Sequence, residues 1–72
     1  MWENVEEMKK IGGVFKEKRK ELKMTLSQIN NITKIDIALL SKIERGERIA
    51  TKVQFLLICN ALEINSKLIM AD

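Results

Sequence analysis

Apolar residues recur at helical spacing between residues 24 and 46, with a short polar break in the middle. This period predicts two short amphipathic helices, one over residues 26–33 and one over residues 37–45. Thr25 and Asp36 can each accept hydrogen bonds from the free N–H groups that open a helix, and Gly46 can end the second helix in the left-handed conformation. Two helices joined by so short a turn form the unit that presents a helix to the major groove of DNA. The apolar positions of the pattern are Ile29, Ile32, Ile35, Leu40 and Ile43.

The rest of the chain also reads as short helices. Gly12-Gly13 is the only adjacent pair of helix-breaking residues, and it predicts a break after an N-terminal arm or short helix. We therefore divide the chain into an arm, residues 1–10, and a helix-turn-helix DNA-binding domain, residues 11–72. Further helices are expected at residues 14–23, at residues 52–62 after the cap residue Thr51, and in a last turn at residues 67–70. The predicted fold class is all-α, a compact bundle of five short helices.

Size and composition exclude several classes of protein. A chain of 72 residues forms one domain and leaves no room for a large catalytic cleft. It has no His and a single cysteine, Cys59, which we place in the core, so we expect no metal, no cofactor, no evident small-molecule ligand and no enzyme activity. No apolar run is long enough to span a membrane, and the first ten residues do not resemble a signal peptide. We therefore expect a cytoplasmic protein.

The positive charge is concentrated around the predicted helix-turn-helix. Residues 15–52 carry ten Lys or Arg and five acids, whereas the rest of the chain carries three bases and five acids. Phosphate groups of a bound nucleic acid would lie along this basic region. The stretch from residue 16 to residue 23 is equally compatible with an ordinary solvated Lys/Glu helix face.

Helical geometry separates the two faces of the third helix. At about 100° per residue, Leu40, Ile43 and Glu44 share the inward face. The outward residues are Ala38, Ser41, Lys42 and Arg45, with Ile37 at the leading end and Leu39 assigned to the core. Ile37 and Ala38 could touch thymine methyl groups, and Lys42 could reach guanine. Ser41 could serve a base or a phosphate. Ile37 could equally face the core or a partner.

An acid on the inward face needs a partner, because an unpaired buried charge is unfavourable. Arg19 lies on the inward side of the first helix and is the best candidate for Glu44. We predict a structural Arg19–Glu44 ion pair that holds the first helix against the third.

The fourth predicted helix is apolar all round. One seam of it belongs to the core and contains Phe55, Ile58, Cys59 and Leu62. Val53 and Leu57 point nearly the opposite way, and Leu68 and Ile69 add further apolar surface. A helix of this kind in a small domain needs a second burying surface. We interpret the four residues as a homodimer interface, with a folded-over N-terminal arm as the alternative.

Three segments of the chain resemble the Cro/cI-repressor (Xre-like) helix-turn-helix family. They are IGGVFKEKRKELKMTL, SKIERGER and TKVQFLLICNALEI, and the match runs without gaps from about residue 11 to residue 69. SKIERGER, which is similar to the family's S-x-I-E-x-G-x-R, is the most specific piece. IDIALLSKIERGERIATK is also, more weakly, similar to small regulators of restriction-modification systems. The resemblance implies a lambda-repressor-like domain that binds an operator as a dimer, with its third helix in the major groove.

The resemblance also assigns roles to single residues. Ile37, Ala38 and Lys42 fall at base-contacting positions, and Thr25 and Leu26 fall where the second helix meets a phosphate. Arg19 and Glu44 fall at the family's inter-helix ion pair. The full set of predicted DNA contacts is Thr25, Leu26, Ser27, Lys34, Ile37, Ala38, Ser41, Lys42, Arg45 and Arg48.

Four residues depart from the family pattern, and one of them, Ile37, takes a position that is usually polar. Leu26 replaces the usual Gln and removes one polar contact. Lys34 replaces the usual turn Gly, which needs a positive φ, and a phosphate contact could offset the strain. Asn30 stands where the family prefers Ala, so we expect the second and third helices to lie slightly further apart.

Two functions follow from these observations. The first is a transcriptional regulator, a repressor or an activator, that binds double-stranded DNA at a palindromic operator as a homodimer. The second is a protein-interaction module, of the antitoxin or antirepressor kind, whose apolar third helix serves a protein partner. The basic surroundings favour DNA, and the lack of base-reading amides at residues 37–39 favours a protein.

Overall fold

The computed structural model describes residues 4–65, and all regular secondary structure in that range is helical. Four helices follow one another: α1 (Val5–Glu21), α2 (Leu26–Thr33), α3 (Ile37–Glu44) and α4 (Lys52–Ala61). α1 packs against α3, and α2 packs against both α3 and α4. Four helices of the predicted five are therefore present between residues 4 and 65, and the last one, at residues 67–70, lies outside the described residues.

The N-terminal segment belongs to α1. The helix begins at Val5, where the Asn4 side chain accepts a hydrogen bond of 2.9 Å from the Glu7 N–H, and continues without interruption through Gly12 and Gly13. The predicted break at the glycine pair is therefore wrong. A Cβ at Gly12 would lie 2.7 Å from the Glu44 carbonyl oxygen, whereas a Cβ at Gly13 would meet nothing within 4 Å. Gly12 is thus small because α1 and α3 approach closely there, and it does not end a helix.

Each helix is followed by a residue in the left-handed conformation. These residues are Lys23, Lys34, Gly46 and Glu63, with φ of 57°, 64°, 74° and 58°. After α1 the Met24 N–H donates to the Arg19 carbonyl oxygen at 3.0 Å, the six-residue bond of a Schellman motif. The same bond follows α3 and α4. The sequence indicated Gly46 as a glycine and Lys34 through the family resemblance, whereas Lys23 and Glu63 were missed because their residue types carry no signal for this conformation.

Gly46 is required for a second reason. A Cβ at this position would lie 2.6 Å from Lys9 Cγ, so the first part of α1 passes directly over the end of α3. The part of the predicted arm that contains Lys9 is in this way packed against the end of the helix-turn-helix.

The core is a single apolar cluster drawn from all four helices. The Phe15 and Phe55 rings join α1 to α4, with centroids 5.6 Å apart and planes tilted by 46°. One residue of the original apolar pattern is an exception, because Ile32 is 53% exposed. The buried apolar residues are Ile11, Phe15, Ile29, Ile35, Leu40, Ile43, Ala50, Phe55, Ile58, Cys59 and Leu62. Among the described residues, no helix is long and apolar enough to cross a membrane.

Burial of Cys59 makes stability depend on pH in the alkaline range. Burial raises the pKa of the Cys59 thiol from 9.0 to about 11. The unfolded chain ionises first as the pH rises, so the contribution of the thiol is complete below pH 9 and is lost between pH 9 and 11. We expect wild type to lose about 2 to 3 kcal/mol of unfolding free energy relative to Cys59→Ala across this interval. Urea titrations of both proteins at pH 7, 9 and 11 measure the difference. A difference that stays constant over the three pH values would contradict the assignment.

Candidate nucleic-acid interface

The start of α2 is closed by a reciprocal pair of hydrogen bonds. The Gln28 N–H donates to Thr25 Oγ1 at 3.1 Å, and the Thr25 N–H donates to Gln28 Oε1 at 2.8 Å. This capping box arises from the local sequence T-L-S-Q, because a hydroxyl at the cap and an amide three residues later can satisfy each other. Leu26 is half-buried against the core, and Ser27 is exposed. The side chain of Ser27, and not that of Leu26, is therefore available at this helix end.

The turn between α2 and α3 is tied by side chains. Lys34 has φ of 64°, and its N–H donates to the Asn30 carbonyl oxygen at 2.7 Å. Asn30 Nδ2 donates to the Ile35 carbonyl oxygen at 2.7 Å. Thr33 Oγ1 donates to the Ile29 carbonyl oxygen and accepts a hydrogen bond from the Ile35 N–H. The amide of Asn30 therefore binds the turn directly, an interaction that Ala could not make. The sequence did not reveal it, because its acceptor is a main-chain carbonyl.

The two faces of α3 separate as the helical period predicts. Leu40 and Ile43 are buried, while Ala38, Lys42 and Ile37 are exposed, Ile37 to 43%. Ser41 is half-buried. Asp36 opens the helix by accepting a 3.1 Å hydrogen bond from the Ala38 N–H. The outward face thus combines a methyl group, an apolar leading residue and one lysine amine.

Leu39 lies between the two faces. It is half-buried and packs against the core cluster. Leu39 therefore belongs largely to the core, as the sequence predicted, and Ile37, whose orientation the sequence left open, projects from the start of α3.

The guanidinium of Arg45 is held at the end of α3. Its Nη1 donates to Ser41 Oγ at 3.0 Å, and its Nε donates to Glu47 Oε2 at 2.7 Å. Nη2 adds a weaker contact with Glu47 Oε1 at 3.4 Å. Sequence reasoning missed this cluster, because an Arg and a Glu two positions apart in a loop have no fixed geometry until the backbone is known.

The Arg19–Glu44 ion pair is present in the structure. Arg19 Nε donates to Glu44 Oε2 at 2.7 Å and Nη2 to Oε1 at 3.1 Å, and the two side chains are only 14% and 10% exposed. Arg19 Nη1 also donates to the Met24 carbonyl oxygen at 2.8 Å. The hydrogen bond to Glu44 raises the pKa of Arg19 above its ordinary value despite partial burial, so the guanidinium stays charged. One side chain therefore joins α1, α3 and the segment that leads into α2.

Basic side chains with exposed positions surround the helix-turn-helix. Lys34 and Lys42 lie within it, and Arg48 lies in the loop after α3. Lys16, Lys20 and Lys23 are exposed on α1 or directly after it, and Lys52 is exposed at the start of α4. Among the described residues, no group of three or more His, Cys, Asp or Glu side chains is placed to hold a metal ion.

The outer side of α4 carries exposed apolar side chains. Val53 is 67% exposed, and Leu56 and Leu57 are exposed to 41% and 39%. Leu56 extends the surface that the sequence predicted from Val53 and Leu57. The other two residues of the predicted dimer interface, Leu68 and Ile69, lie outside the described residues.

Comparison with known proteins adds an independent observation. The family model described as helix-turn-helix matches residues 15–69, which include α2, α3 and α4 and the C-terminal part of α1. No curated protein matches the chain. Because the match covers well over half of the 72 residues, this chain belongs to the Cro/cI-like (Xre-like) helix-turn-helix family, a family of DNA-binding regulators.

Proposed function

We propose that this protein is a sequence-specific transcriptional regulator that binds a palindromic operator as a homodimer. The observation that carries the proposal is the outward face of α3, where Ala38 and Lys42 are exposed beside the buried Leu40 and Ile43. In this reading α3 enters the major groove, Lys42 reads guanine, and Ile37 and Ala38 contact thymine methyl groups.

The surrounding residues would hold the DNA backbone. The proposed phosphate contacts are the helix start at Thr25, Leu26 and Ser27, the turn residue Lys34, and Ser41, Arg45 and Arg48 at the other end of α3. The main-chain N–H groups of Leu26 and Ser27 serve here, so the loss of a polar side chain at Leu26 removes only one contact. Lys34, Arg45 and Arg48, with the other exposed lysines around the helix-turn-helix, would neutralise phosphates, so binding should weaken steeply as salt rises.

The regulator reading is tested by selecting DNA with the purified protein. Sheared genomic DNA is mixed with the full chain at moderate salt, and the bound fragments are sequenced. We expect a short palindrome with half-sites about one helical turn, ~34 Å, apart. Lys42→Ala should weaken binding to that palindrome by about 10- to 100-fold, because a guanine contact is lost.

Lys10→Ala is the matched control, since it removes another exposed lysine, one that lies on α1 and outside the predicted DNA contacts. It should retain the palindrome. Weak, salt-sensitive binding without any enriched sequence would contradict the regulator reading.

The homodimer is proposed from the exposed apolar side of α4, together with the sequence-based assignment of Leu68 and Ile69 to the same interface. Val53→Glu places a charge in the proposed interface and should reduce the mass in light scattering at micromolar concentration from twice the 8.3 kDa monomer mass to that of the monomer. Val14→Glu changes a Val on α1 that is also exposed and should leave the dimer intact. A wild-type protein that is already monomeric would contradict the dimer.

A second candidate function is a protein-interaction module. It is favoured by Ile37, an apolar residue that is 43% exposed at the leading end of α3, where base-reading amides would otherwise stand. Leu39 contributes little to such a surface, because it packs against the core. A negative DNA selection would therefore direct the search to a protein that covers Ile37 and Ala38.

A further inference from the structure

We propose that Glu47 competes with DNA phosphate for Arg45, and that this internal contact limits the DNA affinity of the interface. The inference rests on the proposed function, because it concerns one of the cations assigned to the DNA backbone. It gives a role to a carboxylate that lies inside a predominantly basic surface.

The competition follows from the shape of the contact. Arg45 Nε lies 2.7 Å from Glu47 Oε2, and Nη2 lies 3.4 Å from Glu47 Oε1, so the carboxylate occupies one edge of the guanidinium with both oxygens. A phosphate presents two oxygens with similar spacing and binds the same pair of donors. The Nε and Nη2 edge can therefore serve Glu47 or DNA, but not both at once.

Ser41 keeps the guanidinium in place while the anion is exchanged. Arg45 Nη1 donates to Ser41 Oγ at 3.0 Å, four residues back along α3. This bond uses neither Nε nor Nη2, so it can persist when Glu47 leaves. The edge that Glu47 occupies is then already presented at the end of α3, and a phosphate that replaces the carboxylate does not need to reorganise the side chain.

Exposure makes the exchange feasible. The Arg45 and Glu47 side chains are 52% and 55% exposed, and an ion pair in contact with water is weak. The Arg19–Glu44 pair is also bidentate, but its side chains are only 14% and 10% exposed, and it holds α1 against α3. Of these two pairs, the exposed one is suited to open on binding.

The proposal is tested by a double-mutant cycle on Arg45 and Glu47. The probe is a random-sequence DNA duplex of about 30 bp at low salt, because phosphate contacts do not depend on sequence. Glu47→Gln should raise the affinity about two- to fivefold per protomer, the range that an exposed ion pair allows. The same substitution in an Arg45→Ala background should give no gain in affinity, because the guanidinium for which Glu47 and phosphate compete is absent there.

Glu21→Gln is the matched control. Like Glu47, Glu21 is an exposed carboxylate in an ion pair, but its partner is Lys18 on α1, with Lys18 Nζ 3.6 Å from Glu21 Oε1. An equal gain from Glu47→Gln with and without Arg45 would overturn the proposal, since it would reflect general charge repulsion, as would an equal gain from Glu21→Gln. A lower affinity in Glu47→Gln would also overturn it, by showing that Glu47 orients Arg45 for DNA.

The remaining outcomes separate this inference from the proposed function. Wild-type binding that Glu47→Gln leaves unchanged would overturn only the competition. An absence of binding in every variant at low salt would overturn the DNA-binding function and, with it, the competition.

Discussion

Gly12→Ala is expected to destabilise the fold, although alanine is the better helix former. A Cβ at Gly12 would lie 2.7 Å from the Glu44 carbonyl oxygen and closer still to that of Ile43. Both atoms belong to the backbone of α3 and cannot rotate away, so α1 and α3 must move apart. Overpacking of this kind costs about 1 to 3 kcal/mol, and contact with a rigid backbone places the expected loss at the upper end. Urea unfolding followed by circular dichroism at 222 nm measures it.

Gly13→Ala is the control for Gly12→Ala, because it makes the same chemical change one residue later. A Cβ at Gly13 meets nothing within 4 Å, so only the helix propensity changes. The unfolding free energy should then rise by up to about 1 kcal/mol. If both variants were stabilised equally, the close approach of α1 and α3 at Gly12 would be refuted.

Glu44→Ala is expected to lower the unfolding free energy by about 3 kcal/mol. It leaves the Arg19 guanidinium largely buried without its carboxylate, and a buried charge that has lost its partner is strongly destabilising. The hydrogen bond from Arg19 to the Met24 carbonyl remains, so the side chain stays held in its desolvated position. A small domain has a total stability of only about 5 to 15 kcal/mol, so the loss should be visible as a clear shift of the urea midpoint.

Glu47→Ala provides the comparison for Glu44→Ala. It also removes the carboxylate from an Arg–Glu pair with a 2.7 Å hydrogen bond, but both of its side chains are more than half exposed. We expect a loss below about 1 kcal/mol for it. A Glu44→Ala loss below about 0.5 kcal/mol would mean that the Arg19–Glu44 pair behaves as an exposed pair in solution.

Much of the helix-turn-helix could be predicted from the sequence because its signals are local. Thr25, Asp36 and Thr51 each accept a hydrogen bond from the N–H groups that open a helix, and the observed helices start where these caps predict. α2 has its predicted bounds, whereas α3 and α4 end one residue earlier than predicted. Cap bonds span two or three residues, so the local sequence is enough to predict them.

The Arg19–Glu44 pair could be predicted over a longer distance along the chain. The prediction depends on one physical rule, that an acid on the inward face of an amphipathic helix must have a partner. The helical geometry of the first helix and the family resemblance both indicated Arg19 as that partner, and the structure contains the pair with two hydrogen bonds.

Other features required the packed backbone. The sequence identified Gly12-Gly13 as a break, but α1 continues through it, because the missing Cβ of Gly12 is used to admit the backbone of α3. Local propensity treats a glycine only as a residue with a flexible backbone, and it contains no information about which atoms pack against that glycine in the folded protein. Ile32 fits the apolar period but is half exposed. The period indicates which face of the helix a side chain lies on, but not whether another element packs against that face.

The sequence by itself determined the helical class, the starts of three helices, the inward face of α3 and the family, all of which depend on neighbouring residues or on a contiguous motif. The tertiary structure alone decided the course of α1, the tie from Asn30 to the turn and the contact of Arg45 with Glu47. These features depend on main-chain atoms and loop conformations brought together by folding. The distances between such groups cannot be predicted from local sequence, because they depend on how the helices and loops pack in the folded protein.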